Sequence, residues 1–212
     1  MPKIYFYKLI VDDGGAPCVD PNLLSLAICK PMIRSTAETG DILIGFAGST
    51  LHADNRLIYV AEVTEKLTDG AYFSPEFATR GDCIYERKAD RFKPRPGAQY
   101  HGSPGDLDHD LGKAPLYSRA NTLLSERFSY YGSSGSDDYK SKFPLVKKAV
   151  AALGRGHRVH HEPLLFEELK RLAKSKCAFS GAQIKGRPST LPRRGVTHRG
   201  GGCGVANRKS KC

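Results

Sequence analysis

Residues 39–49, T-G-D-I-L-I-G-F-A-G-S, followed after a polar turn by residues 56–65, R-L-I-Y-V-A-E-V-T-E, decide the fold. Gly40-Asp41 is a turn signal. Residues 42–46 are a short apolar run rich in β-branched side chains, the mark of a strand covered on both faces. Residues 48–56 are small and polar. Residues 57–63 then supply a second strand, with Leu57, Tyr59, Ala61 and Val63 on one face and Ile58, Val60 and Glu62 on the other. So short a connection between two such strands predicts an antiparallel pair.

Upstream, residues 4–11 read as a first strand that ends at Asp12-Asp13-Gly14-Gly15. Asp20-Pro21 predicts a helix start, with Leu23, Leu24, Leu26, Ala27 and Ile28 filling the helix and Pro31 stopping it. Downstream, residues 67–77 predict a turn and a short element that packs Tyr72, Phe73 and Phe77. Residues 80–120 carry Pro94, Pro96, Pro104 and Pro115 and read as a long functional loop. A further strand covers 123–131. Residues 143–154 predict a helix with Leu145, Val146, Ala149, Val150 and Leu153 on one face, closed by Gly154. Residues 154–161, G-R-G-H-R-V-H-H, form a basic loop. The clearest amphipathic helix is 163–176, with Leu165, Phe166, Leu169, Leu172 and Ala173 inward and a Glu167/Arg171 pair outward.

The chain of 212 residues, 40% hydrophobic, is long enough for one core domain with an appendage. No apolar run reaches the roughly 18 residues that span a bilayer. Residues 1–11 lack the layout of a secretory signal, and six irregularly spaced cysteines read as reduced thiols, so a cytoplasmic location is expected. The formal charge is +11, and residues 179–212 hold eight Lys or Arg with no Asp or Glu. The division that follows is a domain over 1–176 and a basic, disordered tail over 177–212.

Several motifs carry a family resemblance. They are Tyr5-Phe6-Tyr7-Lys8, Cys29-Lys30-Pro31-x-Ile33-Arg34 and Gly40-Asp41, then Ile58-Tyr59-Val60-Ala61-Glu62-Val63-Thr64. Leu123-Leu124-Ser125-x-x-Phe128-x-Tyr130-Tyr131-Gly132 and Gly154-Arg155-Gly156-His157 complete the set. Over roughly residues 3–175 the chain resembles the second nucleotide-modification-associated domain family, which implies association with DNA modification or phage defence. More loosely, Lys8, Gly40-Asp41 and Ala61-Glu62-Val63 resemble the EVE, ASCH and YTH branches of the PUA-like barrels. That likeness implies an α+β fold: a small mixed β-barrel with peripheral helices.

A reader of modified bases needs aromatic faces and directed donors around a lifted base. Phe46, Tyr59, Phe128 and Tyr130 are the candidate faces. Lys8, Lys30 and Arg34 are the candidate donors to a base edge or a phosphate. Arg155, His157 and Arg158 are candidates for phosphate, although the loop lacks both the G-K-[ST] of a phosphate-binding P-loop and a leading strand. Neither a cofactor nor a metal site is expected. Asp106, Asp108 and Asp110 alternate in G-D-L-D-H-D without matching a calcium loop, and Cys177, His198, Cys203 and Cys212 have irregular spacing. Cys18 or Cys29 with His157 would make a nucleophile pair if the fold brought them together.

Two functional expectations follow. The favoured one is a module, not an enzyme, that binds nucleic acid, DNA in the first place, or a modified nucleotide. The alternative is an enzyme of base modification using the Asp106/Asp108/Asp110 loop or Cys29 with Lys30.

Overall fold

The 39–65 stretch forms the centre of a six-stranded sheet. The computed structural model describes residues 2–101, 103–154, 156–176 and 181–188. Its strands and helices in chain order are β1 (Ile4–Leu9), β2 (Cys18–Asp20), β3 (Leu23–Leu26), α1 (Pro31–Thr36), β4 (Ile42–Ala47), β5 (Leu57–Glu62) and β6 (Glu65–Leu67). There follow β7 (Tyr85–Lys88), β8 (Arg91–Pro94), α2 (Pro104–Leu111), β9 (Thr122–Ser125) and β10 (Arg127–Tyr130). The chain ends with α3 (Tyr139–Lys142), α4 (Pro144–Ala152), β11 (His157–Arg158), α5 (Pro163–Lys176) and β12 (Ala182–Ile184).

The large sheet has the order β11-β1-β4-β5-β10-β12, and a second sheet has the order β2-β3-β9-β6. The pair β4/β5 is antiparallel, as its short connection requires, while β1/β4 is parallel. Three packed layers result. One face of the large sheet, with Ile4, Phe6, Ile44 and Val60, packs on Val146, Val150, Leu169 and Leu172 of α4 and α5. The other face, with Tyr5, Tyr7, Leu43, Tyr59 and Ala61, packs on Leu24, Leu26, Ile33 and Leu123. Beyond the second sheet, Tyr72, Phe73, Tyr85, Phe92 and Leu111 form a third core with Ala27 and Ile28.

The fold is α+β, and among the described residues no barrel closes: the large sheet ends in two free edges, β11 and β12. The expected curled barrel is replaced because each face of the sheet already has its own apolar cover, so neither edge needs to meet the other. Residues 181–188, read from sequence as part of the tail, return to the sheet, with β12 parallel to β10. Residues 189–212, with most of the basic tail, lie outside the described residues.

Four local expectations are corrected. Residues 23–26 form β3, not a helix. L-L-S-L packs on both sides between two sheets, and Pro31 opens α1 at its first position instead of stopping a helix. Residues 80–120 contain the β7/β8 hairpin and α2. The α2 start was readable: Ser103 and Asp106 make a reciprocal capping box with Pro at the first position. Residues 123–131 are two strands in different sheets, β9 and β10, with Glu126 between them. On α5 the outward pair is Glu167–Lys170, not Glu167–Arg171.

The register at Gly45 explains how the sheet accommodates the Tyr59 ring. Gly45 sits opposite Tyr59, next to a bulge at Gly45/Phe46. A Cβ there would overlap the Tyr59 ring and come within 2.7 Å of Leu9 Cδ1. The Tyr59 hydroxyl is tied to that of Tyr7 at 2.6 Å, so the ring cannot swing aside. Gly45→Val should cost about 2–3 kcal/mol in denaturant unfolding. A loss under about 0.5 kcal/mol would show that Tyr59 is not held there.

Candidate active site

The chain reverses between β3 and α1 through two successive left-handed residues, Cys29 at φ 56° and Lys30 at φ 42°. Such backbone costs on the order of 1–2 kcal/mol per non-glycine residue and persists only where surrounding contacts impose it. The contacts are specific. The Cys29 amide donates to Asp110 Oδ1 at 2.7 Å, and the Cys29 carbonyl accepts from Arg34 Nε at 2.7 Å. Arg34, wholly buried, also donates to the carbonyls of Asp110 (2.7 Å), Arg119 (2.8 Å) and Asn121 (2.5 Å).

This arrangement aims the Cys29 thiol at a base. Cys29 Sγ lies 3.3 Å from His101 Nε2, and His101 Nδ1 lies 2.5 Å from Asp110 Oδ2. The Tyr85 hydroxyl also donates to Asp110 Oδ2, at 2.9 Å. Asp110 is fully buried at the end of α2, and its carboxylate is spent on Cys29, His101 and Tyr85. Cys29 itself is half-buried, and the His101 side chain keeps 11% of its surface. The order is nucleophile, imidazole and orienting carboxylate, the roles that activate a thiol or hydroxyl.

Burial pulls the His101 imidazole down, but its hydrogen bonds to Asp110 and Cys29 and their charges raise it to about 10. These contacts favour the protonated form of the imidazole. Tyr85 is pushed well above the ordinary phenol value, by burial and then by the charge of Asp110, and serves only as a donor.

Beside the thiol stands Lys30, with Nζ 5.1 Å from the centre of the Tyr7 ring. Burial lowers the Lys30 ammonium, partly offset by the neighbouring Cys29. His157 pairs with Tyr7 across β11/β1, with its ring 5.9 Å from that of Tyr5. Burial lowers His157, and the charge of Lys30 lowers it further. Behind Tyr7 and Tyr59, the Tyr130 hydroxyl donates to Asp12, whose carboxyl is raised to about 6 by burial against that hydrogen bond.

The residues proposed from sequence are not gathered into one hollow. Phe46, Tyr59 and Phe128 are wholly buried and Tyr130 is 1% exposed, so none offers a face to a base. Strand alternation also divides them: Phe46 belongs to the helix-covered core, and Tyr59, Phe128 and Tyr130 to the core between the sheets. The same alternation sends half-buried Lys8 with Ile4 and Phe6, away from Lys30. Arg34 binds backbone carbonyls, and its burial rules out a base or phosphate partner. Of the phosphate trio, His157 lies on the Lys30 side, Arg158 reaches the Phe6 ring on the opposite face at 5.8 Å, and Arg155 lies outside the described residues.

Asp106, Asp108 and Asp110 do not converge, because they sit on a helix. Asp106 caps α2, Asp108 is exposed and Asp110 turns inward. Among the described residues no group of three or more His, Cys, Asp or Glu is placed to hold a metal ion, and no helix is long and apolar enough to cross a membrane. Cys177, Cys203, Cys212 and His198 lie outside the described residues. His101 was missed from sequence because it stands alone in a proline-rich loop, and nothing local marks it. Two shallow depressions lie elsewhere, one lined by Phe73, Phe92 and Arg95 and one by Arg158, His160 and His161. Neither lining holds a cysteine beside an imidazole, and the Cys29 cluster is the candidate site.

A family model described as nucleotide modification associated domain 2 matches residues 1–188, and the chain belongs to that family. Its role is accordingly linked to base modification. No curated protein and no solved structure matches the chain.

Arg34→Met should destabilise the fold by about 3–5 kcal/mol in chemical unfolding, since four carbonyls and Asp110 lose their buried partner. A loss below about 1 kcal/mol would refute that role. For His101 the folded value lies above the unfolded one, so its ionic contribution is complete below about pH 6.5 and is lost as pH rises through about 10. His101→Gln should therefore cost more stability near about pH 6 than near about pH 10. An equal cost at both would show that His101 is held without charge.

Proposed function

We propose that the chain is a thiol-dependent group-transfer enzyme acting on a nucleotide or nucleic-acid substrate in base modification. One observation carries the reading: the Cys29–His101–Asp110 contact series, on strained backbone, with Cys29 only half-buried. A buried structural cysteine needs neither a left-handed conformation nor a charged imidazole. Cys18, packed in the interior, has neither.

The reaction class is acyl transfer. The Cys29 thiolate forms a bond to a carbonyl carbon, the bond from that carbon to the leaving group breaks, and the His101 imidazolium gives its Nε2 proton to the departing atom. A water or amine then attacks the thioester, loses its proton to His101 and frees the thiolate. Asp110 holds the imidazole orientation throughout, and Tyr85 holds Asp110. A module that binds nucleotides without turnover has no use for these three groups.

The test is alkylation of the native protein by iodoacetamide, followed residue by residue with peptide mass spectrometry. Cys29 should react at least about tenfold faster than buried Cys18 and Cys83, and His101→Gln should slow it by about tenfold or more. A Cys29 rate at or below that of a small free thiol, unchanged by His101→Gln, would reject the nucleophile and favour the binding module.

A further inference from the structure

We propose that Lys30 and His157 form the subsite for an anionic group of the substrate, the phosphate of a nucleotide, held beside the Cys29 nucleophile. This rests on the reading of Cys29 as the reactive thiol and narrows the substrate from a free base or nucleoside to a phosphate-bearing one.

Three observations converge. First, Lys30 follows Cys29 directly, and among the described residues no carboxylate lies within ion-pair reach of its ammonium. The ammonium lies over the Tyr7 ring, 5.1 Å from its centre. Secondly, β11 brings His157 to the same strand position, opposite Tyr7, and half-buries it. Thirdly, the two bases oppose one another: each loses proton affinity to burial, and the charge of Lys30 further disfavours His157. A buried ammonium without a counter-ion is costly, and an arriving dianion offsets that cost at Lys30 and favours protonation of His157. The other carboxylates nearby are committed: Asp110 to the Cys29 amide, His101 and Tyr85, and Asp12 to Tyr130.

A phosphate fits this spot better than a base does. The Tyr7 and Tyr59 rings that would stack a base are sealed. What the surface presents is a lysine ammonium, an imidazole and the thiol. Lys30 then acts on substrate binding, with His101 acting on the chemistry.

Two readouts test this on the full chain. The first is the His157 ring resonance followed by NMR while inorganic phosphate, a nucleoside 5′-monophosphate or the matching nucleoside is added. Phosphate and nucleotide should move it and raise its pKa, the nucleoside should not, and Lys30→Met should abolish the response. The second is the ratio of iodoacetate to iodoacetamide alkylation rates at Cys29. Lys30→Met should lower it about fivefold while leaving the iodoacetamide rate within about threefold, and Lys30→Arg should preserve it. The preserved iodoacetamide rate also reports that the variant is folded.

A His157 response equal for nucleoside and nucleotide, or unchanged by Lys30→Met, overturns the subsite. So does an unaltered alkylation ratio. If Cys29 proves inert to both reagents but the phosphate response depends on Lys30, the subsite stands and the nucleophile reading falls.

Discussion

A single buried guanidinium ties this molecule together. Arg34 brings segments far apart in the chain to one point: the turn at Cys29, the end of α2 at Asp110, and the strand entry at Arg119 and Asn121. Arginine suits the task because its N–H groups fan out in a plane, so one side chain satisfies four carbonyls. A lysine would satisfy fewer, and an apolar residue none. The nearby Asp110 carboxylate, 3.9 Å away, balances the charge. Burying an ion is expensive unless it is paired and hydrogen-bonded, and here a carboxylate stands nearby and four N–H bonds are made. The result is a rigid frame in which a strained turn presents a thiol.

The layered cores set where that frame can sit. Cys29 lies just past β3, where Ala27 and Ile28 enter the third core while Leu24 and Leu26 belong to the second. The chain therefore crosses from one apolar layer to the next at the nucleophile, and α2 is delivered to the same crossing from the other side. A closed barrel would have enclosed its functional groups in one lumen. Two sheets packed face to face leave no lumen, and the aromatic rings expected to line one fill the interface between the layers. The Cys29–His101–Asp110 cluster lies instead at the seam where the layers meet.

What was legible in the sequence follows from how local each signal is. The strand pair 42–46 and 57–63 and the helices at 144–152 and 163–176 are set by short-range periodicity, and the structure has them. The 23–26 segment was misread because four residues of mixed apolar pattern fit a helix turn or a strand equally, and only pairing with β9 decides. The α2 capping box is a local signal that was present at Ser103 and Asp106 and obscured by surrounding prolines. The candidate site is the opposite case. Cys29 and Lys30 were singled out, but His101 stands 72 positions from Cys29 along the chain, and only the packing of α2 against the β3–α1 turn brings them together. Long-range contact of this kind leaves no trace in periodicity.

Cys18, at the start of β2, and Cys29, just past β3, show what the frame accomplishes. Cys18 is buried, and burial together with the charge of Asp82 pushes its thiol up to about 12, against the pull of Arg80. There the carboxylate faces the thiol and the guanidinium is engaged by Asp20, Ser25 and Tyr72, so the sulfur stays protonated. At Cys29 the same kinds of group are ordered differently. A guanidinium takes the backbone carbonyl in both places, but at Cys29 the carboxylate stands behind an imidazole, and the imidazole meets the sulfur. The imidazole between thiol and carboxylate, in place of the carboxylate itself, is what sets the proposed reactive cysteine apart from the core one. Residue types are shared between the two sites, and their order in space makes the difference.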